Sequence, residues 1–402
     1  MAGIGRRRLL YDAVLAAHSS APLARLEARL LAALRIGLHQ IVELDRMPVH
    51  AAVATAVDLL PGRKARGFAN AVLRTILREG RRLVDPDQAS VPGRRFLPAA
   101  PGRGFLLGRD VLPDPVAEAA AHRALLHSFS AEAAALLESQ LGDRQAGLLM
   151  ARAGLRPRVS LRPRPTGADR QALRAELEAE GLELEPEDGG ELLLVRRGDP
   201  TASAAFRRGA ITVQGPFAAR VAPLLAPRGG ERILDLCAPP GGKTAQLADL
   251  DPGARILAFA RDDQGARRLE ENLRRLELQG RVELVREAPF DRGPHDAMLL
   301  DVPCSNSGVL ARRPEARDRL TSKDLRSLTE LQEELLRAAL AALPRGARLV
   351  YSTCSVLPVE NEELLRRVLE GRSGLRIATE ERAFPDEAGA DGGYAALVFS
   401  EP

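Results

Sequence analysis

Tryptophan is absent from this 402-residue sequence, and tyrosine, cysteine and lysine occur only three times each. Aromatic platforms for stacking bases are therefore scarce. Three cysteines make no disulfide framework, which indicates a reducing compartment, and we expect the cytoplasm. No apolar run approaches the ~18 residues that span a membrane. The N-terminus also lacks the apolar core of a secretory signal. We expect no membrane partner.

The rest of the composition is ordinary for a soluble globular protein, and this length predicts two or three domains. Residues 1–110 hold 18 Lys and Arg against 9 Asp and Glu, whereas the remainder holds 40 against 45. A basic N-terminal third favours a polyanionic partner. However, 55 of the 58 cations are arginine, as a GC-rich genome would produce. The charge alone is therefore weak support for RNA binding.

Hydrophobic periodicity predicts the organisation of the chain. Residues 8–80 have the 3.6-residue apolar spacing of helices, seen in Leu26, Leu30, Leu34, Leu38 and Ile41. The predicted domains are an all-α domain over 1–84, a linker rich in Pro, Gly and Arg over 85–115, a helical connector with a small α+β module over 116–205, and an α/β domain over 206–402.

The last of these domains alternates short apolar strands with amphipathic helices. This alternation predicts a Rossmann-like, doubly wound parallel sheet with helices on both faces. Ligands bind such sheets at the carboxyl ends of the strands. That rule selects the loops at residues 237–244, 301–308 and 352–358.

All three cysteines fall in these loops: Cys237, Cys304 and Cys354. A free cysteine is most often a small buried hydrophobic residue, and for one cysteine that interpretation would be preferred. Three of three at the rim where ligands bind one sheet is harder to dismiss. Cysteine attacks as a thiolate, and at a free pKa of ~8.5 only a small fraction is ionised near neutrality.

The first loop, DLCAPPGGKT (235–244), joins a strand to a helix. Its glycines let the backbone approach a ligand, and amides at the start of the helix favour an anionic group. A nucleotide triphosphatase is the obvious competitor, but its P-loop requires a glycine where this chain has Cys237. Lys243, in an arginine-rich chain, suggests that an ammonium is needed at that position.

The three loops resemble the motifs of the Sun/Fmu-type family of RNA cytosine-C5 methyltransferases. The usual forms in that family are DLCAAPGGKT, DAPCSGTG and YSTCS…ENE, and this chain has DLCAPPGGKT, DVPCSNSG and YSTCSVLPVENE. Further similar stretches are ARRPEAR (311–317) and DGGYAAL (391–397). LRIGLHQIVELDRMPVHAAVATAVDLL and ARGFANAVLR resemble the NusB-like helical domain of RsmB-type enzymes, which modify small-subunit ribosomal RNA. The resemblance covers nearly the whole chain.

The resemblance implies a covalent mechanism on RNA. Cys354 would attack C6 of a flipped-out cytosine, Cys304 would help to remove the C5 proton, and Asp301 would hold the polar edge of the base. The implied partner is RNA, most simply small-subunit ribosomal RNA, and the implied cofactor is S-adenosyl-L-methionine. We expect a monomer without a metal site.

The resemblance also implies a set of cofactor-binding residues. They are Cys237, Ala238, Pro239, Pro240, Gly241, Gly242, Lys243, Asp262, Glu287 and Asp301. One departure concerns the acid that holds the cofactor ribose after the second strand, because Ala260 stands at that position. Asp262 or Asp263 is the nearest substitute. The N-terminal domain also starts late compared with the family.

Two other interpretations remain open. A degenerate RNA-binding scaffold of the same fold would explain Ala260, although the intact pair of Cys304 and Cys354 argues against it. A DNA cytosine methyltransferase would use the cysteine after proline, Cys304, as its nucleophile.

Overall fold

The computed structural model consists of two units defined by their internal contacts. One comprises residues 1–154 with 312–318, and the other comprises residues 155–311 with 319–402. The residues that the structure describes are 2–44, 46–85, 93–99, 102–165, 167, 169–186, 190–287, 290 and 293–401. None of the helices within these ranges is long and apolar enough to cross a membrane.

The N-terminal unit is mainly helical, as predicted. Its helices are α1 (Ala2–Arg6), α2 (Arg8–His18), α3 (Ala28–Glu43), α4 (Val49–Asp58), α5 (Arg63–Glu79), α6 (Ala119–Leu126) and α7 (Ala131–Ala153), the last interrupted at Gly142. Leu34, Leu38 and Ile41 of α3 are fully buried, which confirms the periodicity over this helix. Leu26 and Leu30 are only half-buried, because the helix begins between them.

The segment 85–115, predicted as a linker, contains regular structure. Strands β1 (Arg81–Val84), β2 (Phe96–Pro98) and β3 (Arg103–Leu106) form an antiparallel sheet in the order β1-β3-β2. Leu97 and Phe105 are buried in the core of the N-terminal unit. The prediction of a linker over 85–115 is therefore corrected where β2 and β3 lie, and the prediction of an all-α domain over 1–84 is corrected at its end, where β1 lies. Strands this short leave little periodicity in a sequence. Residues 86–92, 100 and 101 of that segment lie outside the described residues.

The C-terminal unit begins with the predicted small α+β module. Its elements are β4 (Val159–Pro163), α8 (Arg170–Ala179), β5 (Glu183–Leu184), β6 (Leu193–Arg197), α9 (Ala204–Arg207) and β7 (Ile211–Val213). The four strands form an antiparallel sheet in the order β5-β6-β4-β7. The connector helices α6 and α7, which the sequence predicts in one domain with this module, belong to the N-terminal unit.

The large sheet of this unit has seven strands. In chain order, the strands of this sheet and the helices between them are α10 (Pro216–Leu224), β8 (Arg232–Asp235), α11 (Gly242–Leu250), β9 (Arg255–Phe259), α12 (Asp263–Arg275), β10 (Val282–Val285), β11 (Ala297–Asp301), α13 (Ser322–Ala341), β12 (Arg348–Thr353), α14 (Glu362–Leu369), β13 (Leu375–Ala383) and β14 (Gly393–Ser400). The order is β10-β9-β8-β11-β12-β14-β13. The first five strands are parallel, β14 pairs antiparallel with β12, and β13 pairs antiparallel with β14, so that only β14 runs against the other six. The Rossmann-like prediction is confirmed, although the sheet is mixed.

Strand β11 shows why the strands of this sheet can be predicted from the sequence. Ala297 and Leu299 pack into the core on one face, and Met298 and Leu300 pack into the core on the other. All four are fully buried. Because alternate side chains of a strand point to opposite faces, burial on both faces requires a continuous apolar run.

The strand order places a ligand crevice at the middle of the sheet. From β8 the chain winds outward through β9 and β10, and it then returns to the other side of β8 to form β11. Such a reversal leaves a crevice at the carboxyl ends of the two central strands, where ligands of this fold class bind. The loops after β8 and β11 are two of the three that the sequence selected.

Buried ion pairs attach the small module to the large sheet. In α11, Asp249 accepts contacts of 2.8 Å from Arg162 Nη1 and 2.8 Å from Arg164 Nη2. The three side chains are at most 8% exposed. Breaking a buried pair leaves an uncompensated charge, which costs more than the pair itself contributes.

Replacing Asp249 by alanine is therefore expected to lower the free energy of unfolding by about 3–5 kcal/mol, since two buried guanidinium groups lose their carboxylate. Urea unfolding of both proteins measures the difference. The control is Glu270→Ala, which removes an exposed partner of Arg274 and should cost less than about 1 kcal/mol. Equal losses for the two variants would contradict this account of the attachment.

Candidate active site

The predicted site residues gather at one edge of the large sheet. Strand β8 ends at Asp235, β11 ends at Asp301 and β12 ends at Thr353. Strand β11 lies between β8 and β12, and all three run parallel. The three loops that follow them are therefore neighbours, as predicted.

The loop after β8 is anchored by a buried carboxyl group. Asp235 is 1% exposed and accepts a hydrogen bond of 2.6 Å from Thr244 Oγ1. Burial raises the pKa of Asp235 to about 6. Cys237 lies two residues further on, half-buried, and its backbone N–H donates to Asp235 Oδ1 at 3.4 Å. This contact fixes the start of the loop at the end of the strand.

The same loop provides a backbone cradle at the start of α11. Gly241 has φ +96°, and a Cβ there would lie 2.6 Å from Leu269 Cδ1, so that only glycine fits. A Cβ on Gly242 would meet no atom within 4 Å, which indicates open space in front of the helix. Gly241 caps α11 without a side-chain hydrogen bond, which leaves the first helical amides available for an anionic group.

Lys243 and Asp301 form an ion pair between two of the loops. Lys243 Nζ donates to Asp301 Oδ2 at 2.6 Å, and Ser352 Oγ donates to Asp301 Oδ1 at 2.7 Å. Burial opposes the charge of the ammonium, but the Asp301 carboxylate outweighs it and raises the pKa of Lys243. A cation and a carboxylate are thus held together at this edge of the sheet.

The two cysteines predicted to be catalytic are in direct contact. Cys304 Sγ lies 3.1 Å from Cys354 Sγ, and Cys354 Sγ lies 3.3 Å from Asn306 Oδ1. Asn306 adopts a left-handed conformation with φ +60° and donates from Nδ2 to the carbonyl of Cys304 at 2.9 Å. Cys304 is 8% exposed, whereas Cys354 is half-buried. Cys354 is therefore the more exposed residue of the two.

The surroundings keep two of the three thiols protonated. The pKa of Cys304 is raised first by its hydrogen bond to Cys354 and then by burial. Burial also raises the pKa of Cys237, and the nearby carboxylates of Asp235 and Asp301 add to the effect. A thiol whose pKa is raised in this way is a poor nucleophile near neutral pH.

The two acids predicted further along the edge follow β9 and β10. Asp262 is exposed and caps α12, with Oδ1 accepting from the backbone N–H of Gly265 at 2.8 Å. Glu287 is exposed just beyond β10. Ala260, at the position expected for the ribose-binding acid, is fully buried in the core. The geometry leaves Asp262 as the nearer exposed carboxylate after β9.

Sequence reasoning missed three polar residues at this edge: Ser352, Asn306 and the buried Glu360. All three fall within the loop motifs. Ser352 lies two residues before Cys354, Asn306 lies two residues after Cys304, and Glu360 lies six residues after Cys354. The presence of these residues in the motifs could therefore have drawn attention to them. However, the sequence does not tell which polar side chains of a motif point into the protein.

Comparison with known proteins assigns the two parts of the chain separately. Residues 222–398 match the family described as 16S rRNA methyltransferase RsmB/F, and residues 1–78 match the NusB family. Two curated relatives carry the name ribosomal RNA small subunit methyltransferase B. The Vibrio cholerae protein is 30% identical over 91% of this chain and 80% of its own, and the Xylella fastidiosa (strain Temecula1) protein is 31% identical over 98% and 87%.

A solved structure shares the fold along the chain. The crystal structure of PH0851 superposes with a TM-score of 0.78 and covers 99% of this chain and 88% of its own. The two sequences are 24% identical, so the likeness concerns the fold alone.

The three thiols are expected to differ in reactivity. Iodoacetamide at pH 7.5 should alkylate Cys354 at least about tenfold faster than Cys237 or Cys304, because the pKa of each of the latter is raised and Cys304 is buried. Alkylation of Cys237 should still be accelerating above about pH 9, where an ordinary thiol is already ionised. Peptide mass spectrometry measures each rate, and the urea-unfolded protein is the control. Fastest labelling of Cys237 in the folded protein would contradict this order.

Proposed function

The chain belongs to the family of 16S rRNA methyltransferases RsmB/F, and from that membership we propose that it methylates carbon 5 of a cytosine in small-subunit ribosomal RNA. The single observation that carries the cytosine chemistry is the 3.1 Å contact between the sulfurs of Cys304 and Cys354, beside the ion pair of Lys243 and Asp301. Two cysteines at one ligand edge suit a reaction in which a carbon–sulfur bond forms and is later broken.

The methyl donor is S-adenosylmethionine, which when bound supplies a methyl group activated by a positively charged sulfur. The open space before Gly242 and the first amides of α11 suit its carboxylate group. We assign the donor site to the loop of residues 237–243, with Asp262 after β9 for the ribose, Glu287 near the adenine, and Asp301 at the inner end.

Cys354 is the proposed nucleophile. Its thiolate adds to C6 of the cytosine, so that a carbon–sulfur bond forms and the electron pair of the C5–C6 double bond makes C5 nucleophilic. Cys354 is half-buried, whereas Cys304 is buried, so Cys354 is the better placed of the two to meet a base that has left its stack.

Cys304 is the proposed proton acceptor in the second half of the reaction. Once C5 carries the methyl group, its proton must leave so that the C6–sulfur bond can break and the double bond can return. Cys304 lies within contact of Cys354, so its sulfur is close to any ring bonded there. It accepts the C5 proton as a thiolate, so its own thiol proton must first pass to solvent.

Asp301 is proposed to bind the exocyclic amine and N3 edge of the cytosine. Its carboxylate is held by Lys243 and Ser352, so its direction is fixed before a base arrives. A preorganised carboxylate stabilises positive charge that develops on the ring without having to rotate first.

Single substitutions of the two cysteines test this assignment. With RNA and S-adenosylmethionine, Cys304→Ala should accumulate a covalent protein–RNA adduct, because the bond to Cys354 forms but is not released. Cys354→Ala should form none. Denaturing gels and intact mass measurements detect the adduct, and the unmodified protein, which should release its adduct on turnover, serves as the control.

The reverse pattern, with an adduct only in Cys354→Ala, would assign the nucleophile to Cys304, as in DNA-type enzymes. Failure of the protein to bind S-adenosylmethionine would instead favour the interpretation as an RNA-binding scaffold. Ala260, which is buried where the family has a ribose-binding acid, is the residue that supports that interpretation. Equilibrium binding of radiolabelled S-adenosylmethionine to the unmodified protein separates that case from a misassigned nucleophile.

A further inference from the structure

A buried carboxylate lies between the two cysteine loops. Glu360 ends a short 3-10 helix, Pro358–Glu360, between β12 and α14, and it is fully buried. No step of the mechanism above uses it. A carboxylate without solvent is tolerated only where hydrogen bonds replace the lost water, so its partners indicate its purpose.

The carboxylate reaches the loop of Cys304 through two contacts. Glu360 Oε1 accepts from the backbone N–H of Ser305 at 2.8 Å, and Oε2 accepts from Ser305 Oγ at 2.5 Å. Ser305 directly follows Cys304. One bond to the main chain and one to the side chain of the same residue fix both the position and the orientation of this loop.

The same carboxylate holds the loop of Cys354. Ser355 Oγ donates to Glu360 Oε2, and Ser355 directly follows Cys354. The hydroxyls of Ser305 and Ser355 lie 3.3 Å apart. Both serines therefore meet at one carboxylate oxygen, each one residue from a catalytic sulfur.

A third partner, Gln332, links the carboxylate to helix α13. Gln332 in α13 donates from Nε2 to Glu360 Oε1 at 2.9 Å and to the carbonyl of Pro303 at 2.9 Å. Gln332 is fully buried. Pro303 directly precedes Cys304, so this loop is held on both sides of its cysteine.

We infer that Glu360 is a positioning residue that ties the Cys304 and Cys354 loops together and thereby sets the distance between the two sulfurs. The inference rests on the proposed function, in which both sulfurs act on one ring. The negative charge of Glu360 also contributes to the raised pKa of Cys304, after the hydrogen bond to Cys354 and burial.

Two substitutions of Glu360 separate the effect of side-chain length from the effect of charge. Glu360→Gln keeps the length of the side chain and loses the charge, and the serine hydroxyls can rotate to accept from its amide. Glu360→Asp keeps the charge but is one carbon shorter, so it cannot reach both loops at once. The matched control is Glu363→Asp, an exposed glutamate three residues further on.

Phenylarsine oxide reports the spacing of the sulfurs without RNA or cofactor. Its trivalent arsenic forms bonds to two neighbouring thiols, and its oxygen leaves as water with the two thiol protons. Peptide mass spectrometry identifies the bridged cysteines, and titration gives the half-saturating concentration. Turnover of RNA methylation and binding of S-adenosylmethionine are measured on the same samples.

Glu360→Gln and Glu363→Asp should stay within about threefold of the unmodified protein in arsenic binding and turnover. Glu360→Asp should be at least about tenfold weaker in both, because small displacements of reacting groups cost large factors in rate, with S-adenosylmethionine binding unchanged. The inference is overturned if Glu360→Asp binds arsenic like the unmodified protein, or if Glu360→Gln is impaired as strongly as Glu360→Asp. Because arsenic binding needs no methylation, it tests Glu360 even if the cysteine variants refute the proposed reaction.

Discussion

The parallel pairing of β11 with β12 is the constraint on which the site depends. Asp301 and Ser352 are register partners at the ends of these strands, and their side chains are joined by a hydrogen bond of 2.7 Å. Cys304 and Cys354 follow within three residues of that pair. Both strands are buried in the middle of the sheet, and a slip by one residue would turn every core side chain to the wrong face. The packing of the sheet thereby determines that the two sulfurs meet.

The charges around the sulfurs are arranged so that each has a partner. The ammonium of Lys243 is paired with Asp301 on the open side of the site. The carboxylate of Glu360 is enclosed by two serines and a glutamine on the inner side. Cys304, which is nearer to the inner side, is held as a thiol, whereas Cys354 is partly open to solvent. Two chemically identical side chains thus lie in different surroundings, which suits the different roles proposed for them.

The sequence predicted two kinds of feature: the buried strands, which are continuous apolar runs, and the loops, which carry recognisable motifs. Continuous runs such as Ala297–Leu300 located the strands, and the ligand-edge rule then located all three cysteines. Strands β1, β2, β3 and β13 are among those that the sequence did not predict, because the first three have only three or four residues and β13 lies at the sheet edge with many exposed charged residues. Glu360 could not be singled out, because its role depends on contacts with Ser305 and Gln332, which are distant along the chain.

Bisulfite sequencing of small-subunit ribosomal RNA tests the central claim most directly, in cells that lack this chain and in cells complemented with the intact protein or with Cys354→Ala. The account predicts one cytosine that resists conversion with the intact protein and is converted both in the deletion and with Cys354→Ala, at equal protein levels. Identical maps from all the strains, or protection restored by Cys354→Ala, would contradict it.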